Sequence, residues 1–436
     1  MRHAPIDPAL FAANRRRLVQ LLPPKAVAIL HAADVLPTTG DTCLKIHPAG
    51  DLFWASGIEQ EESVLVLAPQ ATDPGHREML FVRQPSEHLA RWEGEKLSKE
   101  RAQEISGAAK VRWLSDLPTA LHTLLCESES VWLNANEHER AVIEVESRDV
   151  RRARQLMHDY PLHRFERLAP LLRRLRAVKT PAEVDLLRRA VDITDAGLRR
   201  VLGMLRPGLM EFDLEAELAA EFIRRRGRMA YEPIIGSGRN GCILHYLDND
   251  QECRDGDLVL IDVGSSYANY NADLTRTFPV NGRFTPRQRA VYEAVLRVLR
   301  SSIARTTVGA TLRDWKRAAQ VEMTGELVAL GLITPEEAAR DSADEPACRR
   351  YFMHGLGHSL GLGVHDIAPV DGPLEAGWVM TVEPGIYIPE ENLAVRLEND
   401  ILVTARGPVD LCSHVPIEPD EIERLMARPT DGGRGV

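Results

Sequence analysis

No apolar run in this chain of 436 residues approaches the roughly 20 residues that a bilayer-crossing helix requires. The stretch Met1 to Gln20 lacks the apolar core of a secretory signal, so a cytoplasmic setting with no membrane partner is the expectation. Cysteine is scarce. Cys43, Cys126, Cys242, Cys253, Cys348 and Cys412 are scattered with no Cys-x-x-Cys pair, which argues against both a disulfide framework and a thiolate zinc site. A surplus of positive charge is also lacking: the formal net charge is -10, so nucleic acid is not expected as a main partner. Arg15-Arg16-Arg17 and Arg224-Arg225-Arg226 read as solvated helix faces. Without low-complexity tracts, the chain has the make-up of an ordinary globular protein of about two or three domains.

Residues 1–172 alternate short β-rich runs with helix-like stretches. Ala26 to Leu30, Leu52 to Ala55, Val64 to Leu67, Met79 to Val82 and Val131 to Leu133 read as strands, and Glu137 to Met157 as a helix. That pattern predicts an α/β domain. A second domain, residues 173–436, is expected to be α+β. In Thr180-Pro181-Ala182-Glu183, Thr180 can cap a helix, Pro181 takes its first position and Glu183 closes a capping box. Glu211 to Arg226, stopped by Gly227, and a segment launched by Thr285-Pro286-Arg287-Gln288 follow the same logic.

Asp255-Gly256 marks a turn, after which Leu258 to Val263 reads as a buried strand with Asp262 where an apolar residue belongs. A buried acid costs stability unless it is paired or metal-bound. A second strand, Asn271 to Val280, carries Asp273 on the face shared by Thr275 and Thr277, so a hairpin presenting two carboxylates is expected. The device recurs. Gly256 precedes Asp262 by six residues and Gly264 by eight, and Gly377 precedes Glu383 by six and Gly385 by eight. Glu398 follows Glu383 by fifteen residues and shares a strand face with Arg396 and Asp400. The second domain thus reads as an internal pseudo-twofold repeat delivering four acids.

Hard oxygen donors suit divalent ions such as Mn²⁺, and one imidazole shifts preference toward first-row transition metals and away from Ca²⁺. Two such ions roughly 3.5 to 4 Å apart can share a bridging water, lower its pKa and polarise a scissile carbonyl. The imidazoles come from His354-Gly355-Leu356-Gly357-His358-Ser359-Leu360-Gly361-Leu362-Gly363-Val364-His365-Asp366. So many glycines exclude a long regular helix there, and an irregular loop or strand delivering histidines from several directions is expected.

The segment from His354 to Asp366, Asp262 with Asp273, Glu383-Pro384-Gly385, and Arg396 with Glu398 resemble the pita-bread metallopeptidases, the family of aminopeptidase P and prolidase. The similarity covers residues 180–425 and includes Gly236-Ser237-Gly238-Arg239-Asn240-Gly241-Cys242-Ile243-Leu244-His245-Tyr246. Asp51-Leu52-Phe53-Trp54-Ala55-Ser56-Gly57 and Arg91-Trp92-Glu93-Gly94 resemble the family's N-terminal domain more weakly. The resemblance implies two divalent ions, Mn²⁺ first, with Co²⁺ or Zn²⁺ accepted by the same ligands. Asp262 and Asp273 would bind one ion, His358 and Glu383 the other, with Asp273 and Glu398 bridging.

By the same resemblance, Glu383 relays a proton from a metal-bridged hydroxide toward the leaving proline nitrogen, and His245 and His365 hydrogen-bond the substrate. His354 lines the proline pocket or supports the His358 loop, and Arg396 orients the carboxylates. Tyr387 hydrogen-bonds near a ligand carboxylate and Tyr231 packs against proline, unless both are core aromatics. Trp92 reaches a neighbouring subunit, or, read as an isolated tryptophan, belongs to a domain core. The implied activity is release of an N-terminal residue from peptides with proline second, by a homodimer or homotetramer. The alternatives are a prolidase restricted to Xaa-Pro dipeptides and a non-catalytic peptide-binding module of the same fold.

Overall fold

A computed structural model describes residues 3–44, 47–142, 144–370 and 372–427. It forms two compact units, one spanning His3–Arg176 and the other beginning at Ala177. No helix among the described residues is long and apolar enough to cross a membrane.

In the first unit the elements run α1 (Pro8–Val19), β1 (Ala26–His31), α2 (Gly50–Ser56), β2 (Val64–Leu67), β3 (Glu78–Val82), α3 (Glu87–Glu93) and α4 (Lys99–Ser106). There follow β4 (Val111–Trp113), α5 (Leu117–Glu127), β5 (Ser130–Leu133), α6 (Arg148–Asp159), β6 (Arg164–Arg167) and α7 (Ala169–Ala177). The strands form one mixed sheet in the order β4-β3-β2-β1-β5-β6. Every residue of central β1 is buried, as a strand covered on both faces requires. Val27, Ile29, Val66, Phe81, Leu124 and Val131 belong to its core.

Two expectations fail here. Leu52 to Ala55 is not a strand but lies within α2, because a fully buried apolar run this short fits either element. The flanks decide, with Asp51 in the first turn and Gly57 closing the helix at a φ of 68°. A β-carbon there would also lie 2.4 Å from the Phe11 ring. Glu137 to Met157 is not one helix either. Ser147 caps α6 by accepting from the Val150 N–H, so the helix begins only at Arg148.

The second unit opens with α8 (Pro181–Met204) and α9 (Glu211–Arg224), packed on each other. The Thr180 capping box is complete, with the Thr180 N–H donating to Glu183 at 2.7 Å. Then come β7 (Arg228–Met229), β8 (Ile234–Ser237), β9 (Leu258–Val263), β10 (Ser265–Tyr267), β11 (Tyr270–Asn271) and β12 (Leu274–Pro279). A second packed pair, α10 (Pro286–Ala304) and α11 (Leu312–Ala329), precedes α12 (Pro335–Ala338). The chain continues through β13 (Val379–Val382), β14 (Gly385–Ile388), β15 (Leu393–Arg396), β16 (Asn399–Thr404), β17 (Gly407–Asp410) and α13 (Pro419–Met426).

The repeat is visible in this topology. Each half runs from a helix pair to a strand, a short hairpin and a returning strand: β9, β10–β11, β12, and then β13, β14–β15, β16. β9 pairs antiparallel with β12, and β13 with β16. The expected continuous strand from Asn271 to Val280 is broken at Ala272 and Asp273. There the Asp273 N–H leaves the ladder and donates to the Asp400 carboxylate at 3.2 Å.

Candidate metal centre

All four acids stand at corresponding places in the two halves. Asp262 lies one residue before the end of β9 and Glu383 one residue past β13, while Asp273 and Glu398 occupy the junctions ahead of β12 and β16. A carboxylate at a strand end or junction can turn inward without leaving a ladder bond unmade. His358 comes from a segment running beside β13. Its N–H donates to Thr381 Oγ1 at 3.0 Å, its carbonyl accepts from the Thr381 N–H at 2.9 Å, and the Glu383 N–H reaches Leu356 O at 2.8 Å. The segment is therefore strand-like and glycine-bearing, as expected. Gly357 is needed for this approach, since a β-carbon there would lie 2.0 Å from Thr381 O.

Asp273, His358 and Glu398 each bring a ligand atom within 4.8 Å of the others. His358 Nε2 lies 3.5 Å from Asp273 Oδ2 and 3.8 Å from Glu383 Oε1. Its Nδ1 donates to Ser359 O at 3.2 Å, which leaves Nε2 facing the acids, and there Asp273 and Glu383, acting against burial, raise the pKa of the ring. Asp262 joins the cluster through Tyr231, whose hydroxyl hydrogen-bonds to both Asp262 and Asp273.

Arg396 organises the other side. Its guanidinium donates to Asp262 Oδ2 at 2.6 Å, to the Tyr387 hydroxyl at 2.9 Å and to Thr275 Oγ1 at 3.2 Å. The Thr275 hydroxyl in turn donates to Glu398 Oε2 at 2.7 Å. The planar fork of arginine meets three acceptors that a point charge could not.

Burial is the main force on the acids. It lifts Glu398 well above the usual carboxylate range, with repulsion from Asp273 and Glu383 adding to it. Burial also raises Asp273, against the lowering effect of His358, and pushes Glu383 up to about 7. Asp400, fully buried behind Asp273, is raised for the same reason. Carboxylates crowded into a dry interior become neutral unless a cation joins them. A divalent ion fits this donor set, because the oxygens are hard, the imidazole is presented by Nε2, and the bound charge would reverse these shifts.

The remaining predicted residues divide. His354 lies beside the cluster, its Nε2 2.8 Å from the Tyr387 hydroxyl and its Nδ1 2.8 Å from Gly355 O. Burial and the neighbouring Arg396 lower its pKa to about 4, so it is neutral near pH 7. The His365 ring stacks on His358, with centroids 4.0 Å apart and planes at 14°. His245 is exposed. Tyr387 is fully buried and meets Arg396 and His354 rather than a carboxylate. Tyr231 uses its hydroxyl between two acids, a task the sequence reading did not foresee. Trp92 sits on α3 in the first unit at 78% exposure, so its reading as domain core is overturned.

Thr275, Thr381 and Asp400 were missed as working residues, although strand alternation already aligned Thr275 with Asp273 and Asp400 with Glu398. What Thr275 and Asp400 bond to depends on contacts between the two halves, while Thr381 meets His358 within the second half.

Residues 185–405 match the model of metallopeptidase family M24, and residues 11–132 that of the aminopeptidase P N-terminal domain. Xaa-Pro aminopeptidase of Escherichia coli strain K12 is 35% identical over 431 residues, covering 95% of this chain and 97% of that protein. Xaa-Pro aminopeptidase 2 of Streptomyces coelicolor is 33% identical, covering 98% of this chain and 92% of its own. The solved low-pH form of E. coli aminopeptidase P superposes with a TM-score of 0.88 at 32% identity, covering 98% of this chain and 100% of that one. A zinc-substituted form of the same enzyme in complex with product gives 0.85 at 34% identity, with 97% and 99% covered. A buried carboxylate and imidazole cluster built on a duplicated strand-and-hairpin unit, matched over nearly its whole length by such relatives, identifies the chain as a metal-dependent hydrolase of metallopeptidase family M24 that carries an aminopeptidase P N-terminal domain.

Proposed function

We propose that this chain is an aminopeptidase that removes the N-terminal residue from peptides whose second residue is proline. The observation that carries the reading is the Asp273, His358 and Glu398 cluster, in a chain similar over 95% of its length to an Xaa-Pro aminopeptidase. Asp262, Asp273, His358, Glu383 and Glu398 would hold two divalent ions, Mn²⁺ first, with Co²⁺ or Zn²⁺ on the same donors. When bound, such ions supply Lewis acidity toward the carbonyl and a water reactive at neutral pH.

The chain's own groups do the rest. Arg396 fixes Asp262, and Thr275 fixes Glu398. Glu383 takes the proton released by the attacking water and passes it toward the leaving proline nitrogen, the work of a carboxylate held beside the reacting atoms. His245 and His365 donate to the carbonyl oxygen as negative charge gathers there. Neutral His354 stands beside Tyr387 and supports the wall facing the leaving side. The Xaa-Pro bond has no N–H, so an enzyme that reads extended backbone cannot grip it there and needs a dedicated pocket.

A homodimer or homotetramer in the cytoplasm belongs to the same reading. The exposed indole of Trp92 suits an intersubunit contact, and sedimentation of W92A against the parent tests it.

The activity test is Mn²⁺-dependent hydrolysis of Xaa-Pro dipeptides, Xaa-Pro-Yaa tripeptides and longer peptides, with Asp273→Ala as control. Cleavage of the longer peptides, abolished in the control, is expected. Cleavage of dipeptides alone would make the chain a prolidase, and metal-loaded protein inert toward every peptide would leave a binding module.

A further inference from the structure

The loop that carries His365 closes on itself. The Asp366 N–H donates to Ser359 O at 2.8 Å, the Gly361 N–H to Gly363 O at 3.1 Å, and the Gly363 N–H to Asp366 Oδ1 at 3.2 Å. Asn271 adds two donors to Gly361 O, its backbone N–H at 2.9 Å and its side-chain amide at 3.1 Å. The carbonyl of Ser359 thus receives both the Asp366 N–H and Nδ1 of His358, which ties loop closure to the orientation of the imidazole facing the acids.

Inside this loop lies an ion pair. Asp366 Oδ2 is 3.4 Å from Lys179 Nζ, and the two side chains are only 2% and 1% exposed. Gly361 makes the meeting possible, since a β-carbon there would lie 2.2 Å from Asp366 Oδ2 and 3.0 Å from Lys179 Cε. Lys179 is itself anchored by its N–H to Gly377 O at 2.8 Å, in the turn that opens β13. An ion pair this dry contributes little net stability compared with apolar residues of the same size, because desolvation offsets the attraction. Its effect is geometric: it holds the loop against the turn that opens β13, the strand that leads to Glu383.

We propose that Lys179 and Asp366 are positioning residues, their buried ion pair setting where the His365 imidazole stands against His358. The proposal rests on the reading of His365 as a substrate-binding group. His365 immediately precedes Asp366 and stacks on His358 at 4.0 Å, so a displacement of the carboxylate moves the ring directly. Asp366→Asn keeps an oxygen for the Gly363 N–H, removes the charge and turns an amide donor toward the Lys179 ammonium.

The test uses the full chain loaded with diamagnetic Zn²⁺ and labelled with ¹³C-histidine, in K179M, D366N and the K179M/D366N double variant, with H365N assigning the signals. The His365 ring signals are expected to leave the position that stacking on His358 imposes. In kinetics with Mn²⁺, each single variant should lose about tenfold in kcat with KM changed far less, and the double variant should lose no more than the worse single one. Ring signals left in place, or single losses that multiply in the double variant, would overturn the proposal. Should a single variant unfold, the double variant, which removes both charges of the pair together, decides by its ring signals alone. Full activity of H365N would instead sink the catalytic reading of His365, and the spectra would still decide whether the pair positions it.

Discussion

Arg396 and Asp262 meet at 2.6 Å across the internal repeat, the guanidinium from β15 in the second half and the carboxylate from β9 in the first. Their side chains are 4% and 13% exposed, so water screens the pair weakly. Arg396 therefore does two jobs. It balances charge among the acids and locks the register of one half against the other.

Replacing Arg396 separates these jobs. R396M should lose about 3 kcal/mol of stability in metal-free protein, because it leaves a nearly buried carboxylate unpaired. R396K keeps the charge but cannot reach three acceptors, so it should retain most of the stability and lose at least about tenfold in kcat/KM. Urea unfolding in chelator and peptide hydrolysis in Mn²⁺ check both. An R396M as stable as the parent would contradict the structural half of the argument.

Thr275 has one hydroxyl that accepts from Arg396 and donates to Glu398. T275V has nearly the same shape but leaves an acceptor and a donor unmatched, so metal affinity should fall by about 10 to 100-fold. Metal titration followed by calorimetry would show it, and unchanged affinity would remove Thr275 from the site.

The metal-free protein should become more stable as pH falls from about 7 toward 4.5, the range separating the folded carboxyl of Glu383 from its ordinary value. The sign follows from proton counting. In this range the folded state holds protons on Glu383, Glu398, Asp273 and Asp400 that the unfolded chain has released, which outweigh the one proton that buried His354 fails to take up, so stability drains away as pH rises. Metal-loaded protein should lack this slope, since the ions favour ionised carboxylates. Parallel pH–stability curves with and without chelator decide it.

Glu211 is fully buried and takes four hydrogen bonds. They come from the Ser237 N–H at 2.7 Å, the Asn240 amide at 3.3 Å, the Tyr246 hydroxyl at 2.8 Å and the Gln251 N–H at 3.0 Å. It thereby shapes the glycine-rich segment bearing His245. E211Q turns a donor toward these donors and should cost about 2 to 3 kcal/mol, with kcat/KM lowered more than metal affinity. Thermal unfolding and metal titration of the variant would separate the two effects.

Some features were legible because their cause is local. The Thr180 and Thr285 capping boxes need only residues within one turn, and β9 needs only an apolar run after a turn with a left-handed glycine, Gly256 at a φ of 85°. Leu52 to Ala55 misled because four apolar residues buried on all sides carry no periodicity. The break before β12 was hidden because the group that satisfies the Asp273 N–H lies 127 residues away, on Asp400.

By itself the sequence determined the order and spacing of the acids and histidines, the duplicated strand device and the capped helix starts at Thr180 and Thr285, since each follows from side-chain chemistry within a few neighbours. Only the tertiary structure decided that the Tyr231 hydroxyl stands between two carboxylates, that Thr275 links Arg396 to Glu398, and that Lys179 is buried against Asp366. Those contacts join residues far apart in the chain. They form where packing removes water from polar groups, and a buried polar group must then take whichever partner the fold brings within reach.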